Sequence, residues 1–156
     1  MQPETEWMRS SSSSRVRIAG IVGIGTGYNF TERWLTGEVP KLHREDNEYV
    51  YQRPSQYSET GYYEVPVSML LNSREFLLPE TGRIEMGCPV TFVHGTMDTD
   101  SKYETLVSLA ERIDGKVEVV TVEGGDHRLS SEEELCVIER VVKKMVNDVS
   151  RINQTN

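Results

Sequence analysis

The sequence predicts an α/β fold of about three parallel strands with flanking helices, and two observations carry that expectation. Residues 89–148 read strand, helix, strand, helix, and Arg17–Ile24 is a short apolar run without alternation. A strand–helix–strand unit sets its strands parallel through a right-handed crossover. A strand without alternation is one covered on both faces.

The last 70 or so residues give the clearest elements. Pro89–His94 reads as a strand, with proline tolerated at its first position. Ser101-x-x-Glu104 has the form of a capping box, and Leu106, Leu109, Ala110 and Ile113 mark one helical face. Asp114-Gly115 ends that helix, and Val117, Val119, Val120 and Val122 form a second buried strand. Ser131-x-x-Glu134 repeats the capping pattern, with Leu135, Ile138, Val142 and Met145 at helical spacing behind it. The lengths agree, since a ~13-residue helix and a six-residue strand both cover about 20 Å.

Between Gly25 and Gly87 the signal is weaker. Tyrosines alternate with charges, and Pro40, Pro54, Pro66 and Pro79 interrupt any long element. Short helices are expected near 29–36, 40–48 and 66–76, joined by loops. Residues 1–15 are polar, serine-rich and without periodicity, and are expected to be disordered. The organisation is therefore a disordered 1–15, a domain over 16–150 with an insertion at about 26–86, and a tail at 151–156.

Composition narrows the functional classes. The net charge of -8 argues against nucleic acid, which needs an excess of Lys and Arg. No apolar run approaches the ~20 residues of a membrane span. Cys88 and Cys136 match no zinc or redox spacing and read as buried or half-buried thiols in a reducing compartment. Met1–Arg17 offers no secretory h-region; Ser10–Ser14 between Arg9 and Arg15 has a faint transit-peptide character that Glu4 and Glu6 oppose.

In an open parallel sheet, ligands bind beyond the carboxyl ends of the strands. His94-Gly-Thr-Met-Asp98 and Gly124-Gly-Asp-His127-Arg128 both emerge there. Neighbouring strands lie about 4.8 Å apart, so Asp98 and His127 are expected within hydrogen-bonding reach. Asp98 would then hold Nδ1–H of His127 and leave Nε2 as a base. Gly95, Gly124 and Gly125 suit loops that bring backbone close to a site. Each residue also has a plainer role: Asp98 as a helix cap, His127 as a solvated loop residue, Asp126 and Arg128 as surface charges, His94 as structural. It is the paired placement that favours chemistry. A metal site from His94, Asp98, Asp126 and His127 is the weaker alternative, because the set has no recognisable ligand spacing.

Cys88–Asp98 followed by Gly124–Leu129 resembles the end of a serine α/β-hydrolase. More narrowly, it is similar to the family of acyl-protein (palmitoyl) thioesterases and mycophenolic acid acyl-glucuronide esterases. Arg17–Ile24 resembles that family's sixth strand, and Pro54–Tyr62 with Pro66–Leu78 resembles its cap. The resemblance spans about 16–148 and implies the C-terminal part of an α/β-hydrolase fold, with the 26–86 insertion as the cap. It implies two-step hydrolysis of an acyl ester or thioester, no metal or organic cofactor, and a mitochondrial location, with the cytosol open as the alternative. Asp98 takes the acid position and His127 the base. No serine here has glycine at both −2 and +2, so the nucleophile elbow is absent from this chain. The expectations that follow are no serine-hydrolase turnover by the chain alone, marginal stability, and pairing with another chain through the exposed edge near Ile18–Ile24. A truncated fragment is the expected origin. The competing reading is a non-catalytic binding or regulatory fragment of the same fold. Tyr57, Tyr62, Tyr63, Met69, Leu70 and Leu71 are expected either to line an acyl pocket or to pack the cap.

Overall fold

The computed structural model describes residues 17–154. The chain opens with β1 (Ile21–Ile24), then α1 (Phe30–Arg33), which widens into a π-turn at Trp34–Glu38, and a 3₁₀ turn at Lys41–His43. Next come β2 (Val50–Pro54), β3 (Tyr62–Pro66), and α2 (Val67–Asn72), which tightens into a 3₁₀ turn at Ser73–Phe76. The remainder is β4 (Ile84–Glu85), β5 (Val90–Gly95), α3 (Tyr103–Arg112), β6 (Ile113–Asp114), β7 (Val117–Val122) and α4 (Glu132–Gln154). α4 takes in most of the stretch expected as a tail, and the expected disorder of 1–15 falls outside the described residues.

β1, β5 and β7 form the predicted three-stranded parallel sheet, with β5 in the middle. Ile21 pairs with Val90 and Ile24 with Val93, while Val90 pairs with Val117 and Gly95 with Val122. Every residue of β5 is buried, because helices cover both of its faces. Side chains alternate between the two faces with period two. Ile21, Val90, Phe92, Val117 and Val119 pack with Leu106 and Leu109 of α3. Val22, Val93, Val120 and Val122 pack with Val137, Ile138 and Val141 of α4. Each fully buried aliphatic side chain stabilises the fold by about 1.5–3 kcal/mol of transfer free energy. Among the described residues, nothing pairs with the outer edge of β1.

The segment between β1 and β5 has its own small core of Leu35, Val39, Val65, Val67 and Leu70. Here the structure departs from expectation. Residues 50–66 are not a loop but the antiparallel hairpin β2–β3, with Val50 opposite Pro66 and Pro54 opposite Tyr62. β2 alternates in burial and β3 buries only Val65 fully, and their tyrosines and charges hide both from a hydropathy reading. The helix expected over 40–48 shrinks to a single 3₁₀ turn.

The two serine caps differ. At α4 the box forms: Ser131 N donates to Glu134 Oε2 at 2.8 Å and Glu134 N to Ser131 Oγ at 3.3 Å. At α3 it does not. Lys102 occupies the cap position, and Ser101 Oγ donates instead to the carbonyl of Thr26 at 2.8 Å. A tertiary bond to the end of β1 outcompetes the local cap. The buried face of α4 is also rotated from the expected one. Val141 is buried, whereas Leu135 and Val142 are exposed. Both stripes satisfy helical spacing, and contact with the sheet chooses between them. Cys136 is exposed rather than half-buried, and both cysteines are free.

Candidate active site

Both predicted loops emerge at the carboxyl end of the sheet. The loop after β5 turns sharply: Asp98 N donates to the Gly95 carbonyl at 3.4 Å, and Asp98 Oδ1 accepts the N–H groups of Asp100 (2.9 Å) and Ser101 (2.8 Å). This side-chain-to-backbone turn is a common use of aspartate. It buries the carboxylate and leaves Oδ2 facing the neighbouring loop.

The loop after β7 crosses close beneath it. A Cβ on Gly95 would overlap the carbonyl of Gly125, so only glycine permits the approach. Met97 N and Thr96 N donate to Gly125 O (2.9 Å) and Val122 O (3.0 Å), tying the two loops together. Gly124 has φ 72°, in the left-handed region that glycine enters freely. Asp126 then caps the next turn, its Oδ1 accepting from Arg128 N (2.8 Å) and Leu129 N (3.2 Å). Leu129 adopts φ 43°, an unfavourable conformation for leucine, and is held there by complete burial against Val93 and Val141. Leu129 is therefore the anchor that fixes the loop carrying His127.

The outcome is a hydrogen bond of 2.8 Å between His127 Nδ1 and Asp98 Oδ2. The Asp98 side chain is fully buried and that of His127 is 39% exposed. A carboxylate only accepts, so the proton lies on Nδ1 and the Nε2 lone pair is free to take a proton. Gly25, at the end of β1, also packs against this imidazole; a Cβ there would lie 2.9 Å from the His127 carbonyl. With φ 54° it is constrained twice over. Its role escaped the sequence reading, although glycine directly after a buried strand was a usable signal.

His127 borders a cavity of about 450 Å³ lined by Phe30, Trp34, Tyr57, Tyr63, Arg33, Arg53 and Arg128, among others. Two of the tyrosines expected there, Tyr57 and Tyr63, are present, whereas Leu70 and Leu71 belong to the insertion's core. Met69 and Tyr62 do not line the cavity. Arg53 lies over the Trp34 ring at 4.3 Å and pairs with Glu38 at 3.1 Å; Arg128 lies over Tyr57 at 4.5 Å. Arg128, read as a surface charge, lines the cavity; Phe30, Trp34, Arg33 and Arg53 were not assigned to it because they come from elements distant along the chain.

Of the four residues weighed as a metal set, His94 and Asp126 do not join. Asp98, Asp100 and His127 offer ligand atoms within 4.8 Å of one another. The Asp98 oxygens are already engaged by two backbone donors and the imidazole, which is the pattern of an oriented acid–base pair.

This sheet, with an aspartate and a histidine on its adjacent carboxyl-end loops, has the fold of the C-terminal half of an α/β-hydrolase. A putative hydrolase from Agrobacterium vitis S4 superposes with a TM-score of 0.75 at 22% identity, covering 90% of this chain and 54% of that one. Mouse alpha/beta hydrolase domain-containing protein 10 superposes at 0.69 with 21% identity, covering 84% and 53%. In sequence, the chain is similar to the mitochondrial palmitoyl-protein thioesterase ABHD10 of Bos taurus, 27% identical over 139 residues. That match covers 87% of this chain and 45% of the relative. The Homo sapiens protein of the same name is 22% identical over 138 residues, again with 45% covered. The chain thus spans just under half the length of the curated relatives it matches, in their C-terminal part. No protein-family model matches the chain.

Proposed function

We propose that this chain supplies the acid, Asp98, and the base, His127, of a serine hydrolase that cleaves acyl esters or thioesters. The observation that carries the proposal is the 2.8 Å bond from His127 Nδ1 to Asp98 Oδ2 at the carboxyl ends of adjacent parallel strands. In such a site the nucleophile's proton passes to Nε2 as its oxygen attacks the acyl carbon, and then to the leaving group. Asp98 orients the imidazole and stabilises its charged form without taking the proton.

None of the serines in this chain has the elbow pattern, so the nucleophile comes from outside these 156 residues. The edge of β1, which pairs with nothing among the described residues, is where it arrives. Ile18 and Ile24 are exposed there, and beside it lies an apolar cavity of about 330 Å³ lined by Ile21, Tyr28, Phe76, Leu78, Met86 and Phe92, among others. A strand laid against β1 would complete both the sheet and the site. The 26–86 segment serves as the cap, because its hairpin and α1 wall the cavity at His127. The names of the curated relatives support protein depalmitoylation in mitochondria as the specific role. Arg33 and Arg128 support an anionic ester, such as an acyl glucuronide, as a further substrate, Arg53 being taken up by Glu38 and Asp100.

The test mixes the chain with a polypeptide carrying the elbow strand and follows thioester cleavage. Turnover that requires both partners and is lost in His127→Ala supports the proposal. Capture of the partner without turnover supports the binding-fragment reading instead. Labelling of one defined serine of this chain alone by a fluorophosphonate probe would overturn the external nucleophile.

A further inference from the structure

We infer that His94 is a positioning residue for the acid–base pair, its Nε2–H bracing the turn that carries the Asp98 carboxylate. The inference rests on the proposed reading of Asp98 and His127.

His94 is fully buried at the end of β5, and its ring packs beside Tyr103 with centroids 6.1 Å apart. Its Nε2 lies 2.7 Å from the carbonyl of Ser101 and 3.3 Å from Asp98 Oδ2. A carbonyl can only accept, so the proton sits on Nε2 and is given to Ser101, with the carboxylate oxygen close beside it. Nδ1 is buried and meets no partner. That leaves one unpaired acceptor in the interior, a feature that usually has a reason. Here the reason is the geometry won at the other nitrogen.

The bond closes a ring around the site. Asp98 Oδ1 accepts the Ser101 N–H, and His94 holds the Ser101 carbonyl, so the residue is gripped from both sides. Ser101 Oγ then reaches the Thr26 carbonyl, which fastens the turn to the end of β1. Oδ2 of Asp98 consequently faces two imidazoles, bonded to His127 at 2.8 Å and with His94 Nε2 3.3 Å away. The three donors, Asp100 N, Ser101 N and His127 Nδ1, hold the carboxylate in one rotamer, and His94 holds the turn that presents two of them. Without His94, the Asp98 side chain could rotate away from His127 and the imidazole would lose its tautomer. Small displacements of an orienting group can cost up to about 100-fold in rate, which is why such a brace bears on chemistry and not only on folding.

The test is the tautomer of His127, read from ¹⁵N chemical shifts of the chain at alkaline pH. In the native chain the Nδ1–H form should dominate. His94→Phe should lower the Nδ1–H to Nε2–H ratio by roughly tenfold or more, and His94→Gln, whose Nε2–H₂ group falls close to the imidazole Nε2, should restore it. An unchanged ratio in His94→Phe overturns the inference. A native chain that lacks the Nδ1–H form would sink the acid–base reading itself, a separate outcome. Should His94→Phe fail to fold, the His127 tautomer is read in His94→Ala, which removes the donor without adding bulk. A lowered Nδ1–H fraction supports the inference, and the native fraction overturns it.

Discussion

Replacing Asp98 by alanine and by asparagine separates what the carboxylate does for the fold from what it does for the site. Alanine removes every acceptor. Ser101 N–H is then buried without a partner, at about 1–3 kcal/mol, and the bonds from Asp100 N–H and His127, both reachable by water, cost about 0.5–1.5 kcal/mol each. The sum predicts a loss of about 2–6 kcal/mol, a large part of the 5–15 kcal/mol that holds a typical domain together. Asparagine keeps Oδ1 on both backbone donors and should cost only about 1–2 kcal/mol. Its amide, however, presents hydrogens to His127 Nδ1 and turns the imidazole to the other tautomer, a change worth ~10⁴ in kcat in Ser-His-Asp triads. Urea denaturation followed by circular dichroism gives the two stabilities. Equal losses below about 1 kcal/mol for both variants would refute the claim that the carboxylate organises its loop.

Gly95→Ala should destabilise by about 1–3 kcal/mol and separate the two loops, since the new methyl meets the Gly125 carbonyl; thermal melting and the His127 tautomer would both report it. Glu32 grips Arg74 through two hydrogen bonds (2.8 and 2.9 Å), joining α1 to the turn after α2, and the Arg74 hydrogen bond holds its carboxyl below the ordinary glutamate value of 4.5. That stability is therefore present above pH 4.5 and is lost as pH falls through the lowered value. Glu32→Gln should flatten the acid limb of the stability curve by a few tenths of a kcal/mol, the pair being solvent-exposed. Arg128→Ala should raise KM for an anionic ester in the assembled enzyme by roughly tenfold while leaving a neutral ester unchanged; an equal effect on both esters would remove Arg128 from substrate recognition.

Strand–helix periodicity over residues 89–148 was enough to predict parallel strands, and chain order was enough to bring Asp98 and His127 to one rim. Those inferences worked because apolar periodicity and strand direction are local properties of the sequence, and a parallel crossover has few solutions. The sequence could not reveal what long-range contacts choose between. Ser101 had a legitimate local cap to make and gave it up for Thr26. α4 carried two apolar stripes of equal spacing, and the sheet selected Val137 and Val141 over Leu135 and Val142. The β2–β3 hairpin shows a buried side only once Tyr51 and Val65 meet Leu35 and Val39. His94 read as an ordinary strand end, and only the folded turn placed its Nε2 against both Ser101 and Asp98. Sequence determined which residues could meet at the sheet's rim. Tertiary structure decided how they are held there, because a side chain's partner is set by competition among all the groups that folding brings within reach.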